Sequence, residues 1–155
     1  MNSIAIKPLA TVPELLPLLQ GWFEAEWPGY YGLGRRGNAR QDLLAYCNVG
    51  SLPIGMVAFS QGQACGFAAL KGEPFPSHPH LSPWAGAAYV QPSMRRQGIG
   101  AALLRSLEAR AAQLGHTSLY CATATSATLL LRCGWQLLEV VPHEATQIGI
   151  YERAL

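Results

Sequence analysis

The sequence predicts an α/β fold in which helices cover both faces of a mixed sheet. Three observations carry that expectation. Apolar residues recur at helical spacing in two long segments, about 12–26 and 98–114. Short apolar runs bounded by Gly, Pro and Asn read as strands. The helical and strand segments alternate along the chain instead of segregating, which favours a layered arrangement. The 155 residues are expected to form a single domain, 1–155.

Taken in order, Ile4–Lys7 is an opening strand. Thr11 is placed to cap a helix over about Val12–Glu26, with Glu14 as its capping-box partner. Leu15, Leu18, Leu19, Trp22 and Phe23 form its apolar face. Trp27–Gly34 is a loop rich in glycine and aromatic residues. A second helix is expected over about 39–48. Segments 53–60 and 64–71 form a hairpin around Gln61-Gly62-Gln63. A proline-rich loop, 72–83, leads into a strand at about Trp84–Gln91. The helix over about Gly98–Leu114 buries Ile99, Ala102, Leu103, Leu107, Ala111 and Leu114, turns Arg105 and Glu108 outward, and ends at Gly115 in a left-handed cap. Ser118–Ala122 is a strand, Ser126–Arg132 a short helix stopped by Gly134, and two strands near 135–141 and 147–153 finish the chain. The expected order is β-α-α-β-β-β-α-β-α-β-β.

Composition narrows the function classes. Half the residues are hydrophobic and 13% are charged, a low charged share for a small domain. Apolar surface is therefore expected to line a ligand groove or to be covered by a second copy, making a homodimer. A net charge of +2 gives no reason to expect nucleic acid as a partner. No apolar run approaches the ~18 residues of a membrane span, and Met1-Asn2-Ser3-Ile4 has no signal-peptide pattern. The expectation is a cytoplasmic protein with no membrane partner. Cys47, Cys65, Cys121 and Cys133 form no C-x-x-C pair and read as reduced, buried thiols. His78 and His80 flank Pro79 and read as turn residues, so no metal is expected.

The segment that carries chemistry is Ala88-Tyr89-Val90-Gln91-Pro92-Ser93-Met94-Arg95-Arg96-Gln97-Gly98-Ile99-Gly100. A strand here hands over to a helix, and a helix N-terminus presents unpaired N–H groups and the positive end of its dipole. Gly98 and Gly100 let an anion approach the backbone. Arg95 and Arg96 add positive charge. This combination suits a pyrophosphate. A Walker loop would need Gly-Lys-Ser/Thr where the chain has Gly100-Ala101-Ala102. A Rossmann turn would need a third glycine where Leu103 stands and an acidic residue near Tyr120-Cys121. Solvent-facing arginines at a glycine-rich helix start are the structural alternative.

These residues resemble the GCN5-related N-acetyltransferase superfamily, whose Arg/Gln-x-x-Gly-x-Gly/Ala signature is matched by Arg95, Gly98 and Gly100 after a strand ending in Val90. Its downstream Asn-x-x-Ala-x-x-Leu-Tyr-x-x-x-Gly-Phe pattern falls in register with Thr123, Ser126, Leu129, Leu130, Gly134 and Trp135. The resemblance covers nearly the whole chain and implies a GNAT-like fold. It implies acetyl-CoA as co-substrate, with the N–H groups of Arg96, Gln97, Gly98, Ile99, Gly100 and Ala101 on the pyrophosphate. It also implies the Val90 backbone along pantetheine, the Ala88 N–H on the thioester carbonyl, and Ser126 on the donor side. The acceptor would be a small-molecule or peptide amine under the loop of Trp27, Tyr30 and Tyr31.

Two departures bear on mechanism. Leu130 stands where many members have the Tyr that protonates the thiolate, and 84–89 contains no carboxylate base. Tyr120 and Tyr89 on the splaying strands, and Tyr30, Tyr31, Glu24 and Glu26 on the acceptor side, are the substitutes the sequence offers for proton transfer; a water chain is the other route. Two functions therefore compete: N-acetyl transfer to a primary amine by direct attack in a ternary complex, and an acyl-CoA sensor without catalysis.

Overall fold

The computed structural model describes residues 3–155. Strand β1 (Ile4–Pro8) leads through two 3-10 turns into α1 (Leu16–Glu26). The single turn α2 (Pro28–Tyr31) and the helix α3 (Ala39–Ala45) follow. Strands β2 (Ile54–Ser60), β3 (Gln63–Lys71) and β4 (Trp84–Val90) precede the long helix α4 (Ile99–Gln113). Then come β5 (Ser118–Thr123), α5 (Ala127–Arg132), β6 (Gln136–His143) and β7 (Thr146–Ala154). The strands form one seven-stranded sheet in the order β1-β2-β3-β4-β5-β7-β6. Only β4 and β5 run parallel; every other neighbouring pair is antiparallel. This is the mixed sheet the sequence predicts.

Local chemistry explains most boundaries. Asn38 caps α3 by accepting the Gln41 N–H at 3.0 Å. The β2–β3 hairpin turns on two residues, Gln61 (φ 52°) and Gly62 (φ 78°). Two left-handed residues match the twist of the flanking strands. Gly115 (φ 93°) and Gly134 (φ 88°) follow α4 and α5 in left-handed conformations.

Three sequence expectations are corrected. Thr11 does not cap a helix: its hydroxyl donates to the Pro8 carbonyl at 2.7 Å, and α1 begins only at Leu16. Pro13 and Pro17 withhold N–H donors there, so the chain enters the helix through 3-10 turns. The loop after Trp27 contains the helical turn α2, which adds an element to the expected order. Glu108 does not face solvent. It accepts Trp135 Nε1 at 3.2 Å and Arg153 Nε at 3.3 Å, tying α4 to β7.

The sheet is covered on both faces. Ile99, Leu103, Leu104, Leu107 and Ala111 of α4 pack with Leu130 of α5 on one face. Leu19, Trp22 and Phe23 of α1 pack with Leu43 of α3 and Phe67 of β3 on the other. A smaller cluster of Trp84, Tyr120 and Ile150 continues that second face across the C-terminal strands. The edge strand β6 leaves Leu137, Leu138 and Val140 exposed. Among the described residues no helix is long and apolar enough to cross a membrane.

Candidate active site

Strands β4 and β5 pair only at Trp84↔Tyr120 and Ala85↔Cys121. Beyond Ala85 they part. The cause lies in β4, where Ala87 and Ala88 stand opposite the single residue Ala68, between Ala69↔Gly86 and Phe67↔Tyr89. Ala87 takes φ 51° to make this bulge. A bulge bends its strand and shifts side-chain alternation by one. Ala85 packs on the α4 side, and after the bulge it is Val90 that does so. Ala87 and Tyr89 turn toward α1. The extra residue thus opens the sheet and exposes Ala88 at the opening.

The turn after β4 prepares an anion site. Arg96 (φ 64°) and Gly98 (φ 83°) are both left-handed, and Gly98 is the N-cap of α4. The first helical bond runs from Ala102 N–H to Gly98 O at 3.0 Å. The amides of Ile99, Gly100 and Ala101 are therefore left without carbonyl partners in the helix. No atom lies within 4 Å of where a Gly98 Cβ would be, so space opens above these amides.

The two glycines do different work. At Gly100 a Cβ would meet Leu129 Cδ2 at 3.1 Å, so this glycine lets α5 pack against α4. The arginines also differ. Arg95 does not point freely at the mouth: its Nε donates to the Val90 carbonyl at 2.9 Å, and its Nη2 lies 3.7 Å from Glu26 Oε2. It fastens the end of β4 to the end of α1. Both arginines are exposed, Arg95 held by these contacts and Arg96 without an ion pair among the described residues.

Thr123 accepts the amides of Thr125 (3.2 Å) and Ser126 (3.1 Å) and so shapes the β5–α5 turn. Ser126 is the N-cap of α5, without a side-chain cap bond. Leu130 is 1% exposed and packs into the α4 face.

Tyr89 and Tyr120 both lie on the face away from α4, each against a tryptophan. Tyr89 sits 5.1 Å from Trp22 and Tyr120 5.6 Å from Trp84, between ring centroids. Burial raises the Tyr120 phenol pKa, with the Glu152 hydrogen bond adding to it and the Ser118 hydrogen bond opposing it. Burial also pushes the Cys121 thiol up to about 12.

A cavity of about 530 Å³ opens on that same face. Its floor is Ala85, Gly86 and Ala122, where β4 and β5 separate, and Phe75, Trp84 and Tyr30 supply its aromatic walls. Lys71, Glu73, Arg36, His143 and Glu144 bring charge or polarity. Arg36 reaches from the loop after α2 to Glu144 on the β6–β7 turn, 3.8 Å away, across the cavity. A second cavity, about 420 Å³, shares Tyr30, Lys71 and Glu73 and adds Tyr31, Asp42 and Tyr46. The three expected loop aromatics divide here. Tyr30 lines both cavities, and Tyr31 lines the second, its hydroxyl donating to Asp42 at 2.7 Å. Burial and then Asp42 raise the Tyr31 phenol pKa. Trp27 lines neither; it packs edge-on against Phe23 at 5.2 Å and covers the core. Sequence reading missed Lys71, Glu73, Phe75, His143 and Glu144, because no motif joins segments so far apart in the chain.

A parallel strand pair opened by a bulge, beside a left-handed glycine turn and a long helix N-terminus, is the architecture of an acetyltransferase. Family comparison agrees: the acetyltransferase (GNAT) family model matches residues 17–135, more than half of the chain. The chain belongs to the GNAT family. Among curated proteins nothing matches. Among solved structures, an aminoglycoside 6'-N-acetyltransferase complexed with coenzyme A superposes at TM-score 0.77 and 15% identity, over 97% of this chain and 96% of that one. The aminoglycoside 6'-N-acetyltransferase from Enterococcus faecium gives 0.76 and 16%, over 97% and 96%. A GCN5-related N-acetyltransferase from Kribbella flavida gives 0.68 and 20%, over 98% of each. At such identities the likeness is one of fold.

Proposed function

We propose that the protein transfers an acetyl group from acetyl-CoA to a primary amine by direct attack in a ternary complex. One observation carries the reading. The α4 amides with open space above Gly98 stand on one side of the β4–β5 opening, and a solvent-accessible cavity stands on the other. Donor and acceptor can meet through the sheet. The amides of Arg96 to Ala101 hold the pyrophosphate, helped by the positive end of the helix and by the Arg96 side chain. Pantetheine lies in the opening beside Val90. The Ala88 N–H, in the bulged stretch at the opening, donates to the thioester carbonyl as its oxygen gains charge; one such donor is worth roughly 3 kcal/mol of barrier in other enzymes. The amine nitrogen bonds to the carbonyl carbon, the carbon–sulfur bond breaks with its electron pair on sulfur, the CoA thiolate takes a proton from solvent, and the amine proton leaves to water through the cavity. An amine is mostly protonated at neutral pH, so that exit is required. The CoA-bound neighbour supports the donor, and the aminoglycoside enzymes support a small-molecule amine acceptor.

The test follows free thiol with acetyl-CoA and a panel of amines, alongside calorimetry with CoA. Thiol release that depends on the acceptor is the expected result. CoA binding with no release over the whole panel would instead establish the sensor reading, which the burial of Leu130 in place of an acid favours.

Cys121 bears on the direct route. Its thiol is held protonated by burial and is a poor nucleophile in that form. Cys121→Ser is expected to keep turnover within about twofold, since no acyl-enzyme has to form there. Loss of turnover with unchanged folding and CoA affinity would point to a covalent route.

A further inference from the structure

The acceptor cavity contains a cation with no counterion. Lys71 ends β3 opposite Trp84. Its Cδ lies 3.1 Å from the Cβ position of Gly86, so its methylene stem crosses the strand just before the bulge. A side chain at 86 would press on that stem and make it shift by a few tenths of an ångström. The ammonium is carried over the cavity floor, where β4 and β5 part. Lys71 is partly buried, and among the described residues it makes no ion pair or hydrogen bond. The other cation in the lining, Arg36, is already matched by Glu144. Glu73, two residues beyond Lys71, likewise makes no ion pair among the described residues.

We infer that this cavity takes an amine acceptor bearing a carboxylate next to its amino group, of amino-acid size and with an apolar or aromatic side chain. The inference rests on the acetyl-transfer reading for the direction in which the amine points. An unpaired ammonium is satisfied best by an anion, and a charge-assisted bond to a carboxylate is among the stronger polar contacts. With its carboxylate on Lys71, such an acceptor places its amine over Gly86, beside the bulge. Phe75, Trp84 and Tyr30 then receive the side chain. Glu73 completes a pair of opposite charges suited to a zwitterion entering from water.

The experiment uses product analogues, so it does not depend on turnover. The CoA-loaded protein is titrated by calorimetry with the N-acetyl derivatives of phenylalanine, leucine and methionine, and with the corresponding N-acetyl amides. At least one acid is expected to bind about tenfold or more tightly than its amide, the span of one charge-assisted hydrogen bond. Lys71→Met should abolish the difference, Lys71→Arg should retain it, and neither should alter CoA affinity. Equal binding of acids and amides, tighter binding of amides, or no binding by any acid overturns the inference. Thiol release measured in parallel with the free amino acids separates the two claims. Release with amines regardless of carboxylate keeps the transferase reading and removes this one. No release from any amine removes the transferase reading, while the calorimetric difference still decides whether the cavity takes a carboxylate.

Discussion

Gly98→Val is expected to weaken CoA binding about 10- to 100-fold, the range set by one to three kcal/mol of backbone strain or its relief. Gly98 sits at φ 83°, a conformation a β-branched residue resists. The valine side chain would find open space, so the penalty lies in the backbone and not in a clash. The turn relieves it by moving out of the left-handed region. The amides of Ile99, Gly100 and Ala101 then no longer converge. Gly98→Asn is the control, because asparagine tolerates this conformation, and most of the affinity should remain. Calorimetry with CoA measures both. Unchanged affinity for the valine variant would refute the assignment of this turn to the donor.

Leu130→Ala is expected to cost about 2–5 kcal/mol of stability, the range for a buried leucine whose cavity does not fully collapse. Leu130 is 1% exposed and packs with the α4 residues that follow the glycine turn. For a chain of this size the melting temperature should fall by roughly 5–15 °C. Leu130→Met, which nearly conserves volume, should cost under about 1.5 kcal/mol. Thermal unfolding of both variants is the measurement. A melting temperature for the alanine variant equal to the parent's would mean that position 130 is not a core position. The residue that replaces the familiar acid would then need another explanation.

The helices and strands that sequence located best are those whose signal is local. The apolar stripe of α4 is expected at Ile99, Ala102, Leu103, Leu107, Ala111 and Leu114; Ile99, Leu103, Leu107 and Ala111 are buried, and Ala102 and Leu114 are partly so. It holds because helical spacing alone puts those positions on one face. The start of α1 was misplaced because a Thr-x-x-Glu pattern competes with two prolines, and the prolines prevail by withholding donors. The helix pattern turns Glu108 to solvent because it does not show that Trp135 and Arg153 arrive from the turn before β6 and from β7.

The sequence by itself determined the glycine-rich start of α4. A helix beginning at about Gly98 with unpaired amides follows from residue type and spacing, since backbone freedom and helix polarity are properties of a few consecutive residues. Tertiary structure decided the rest. Gly100 serves α5 packing, Arg95 is claimed by Val90 and Glu26, and the sheet opens at Ala87. Lys71 and Glu73 share a cavity with Arg36 and Glu144 from distant segments. A contact between residues far apart in the chain leaves no periodicity in it. Its energy depends on distances and burial that exist only once the sheet has assembled and brought those residues together.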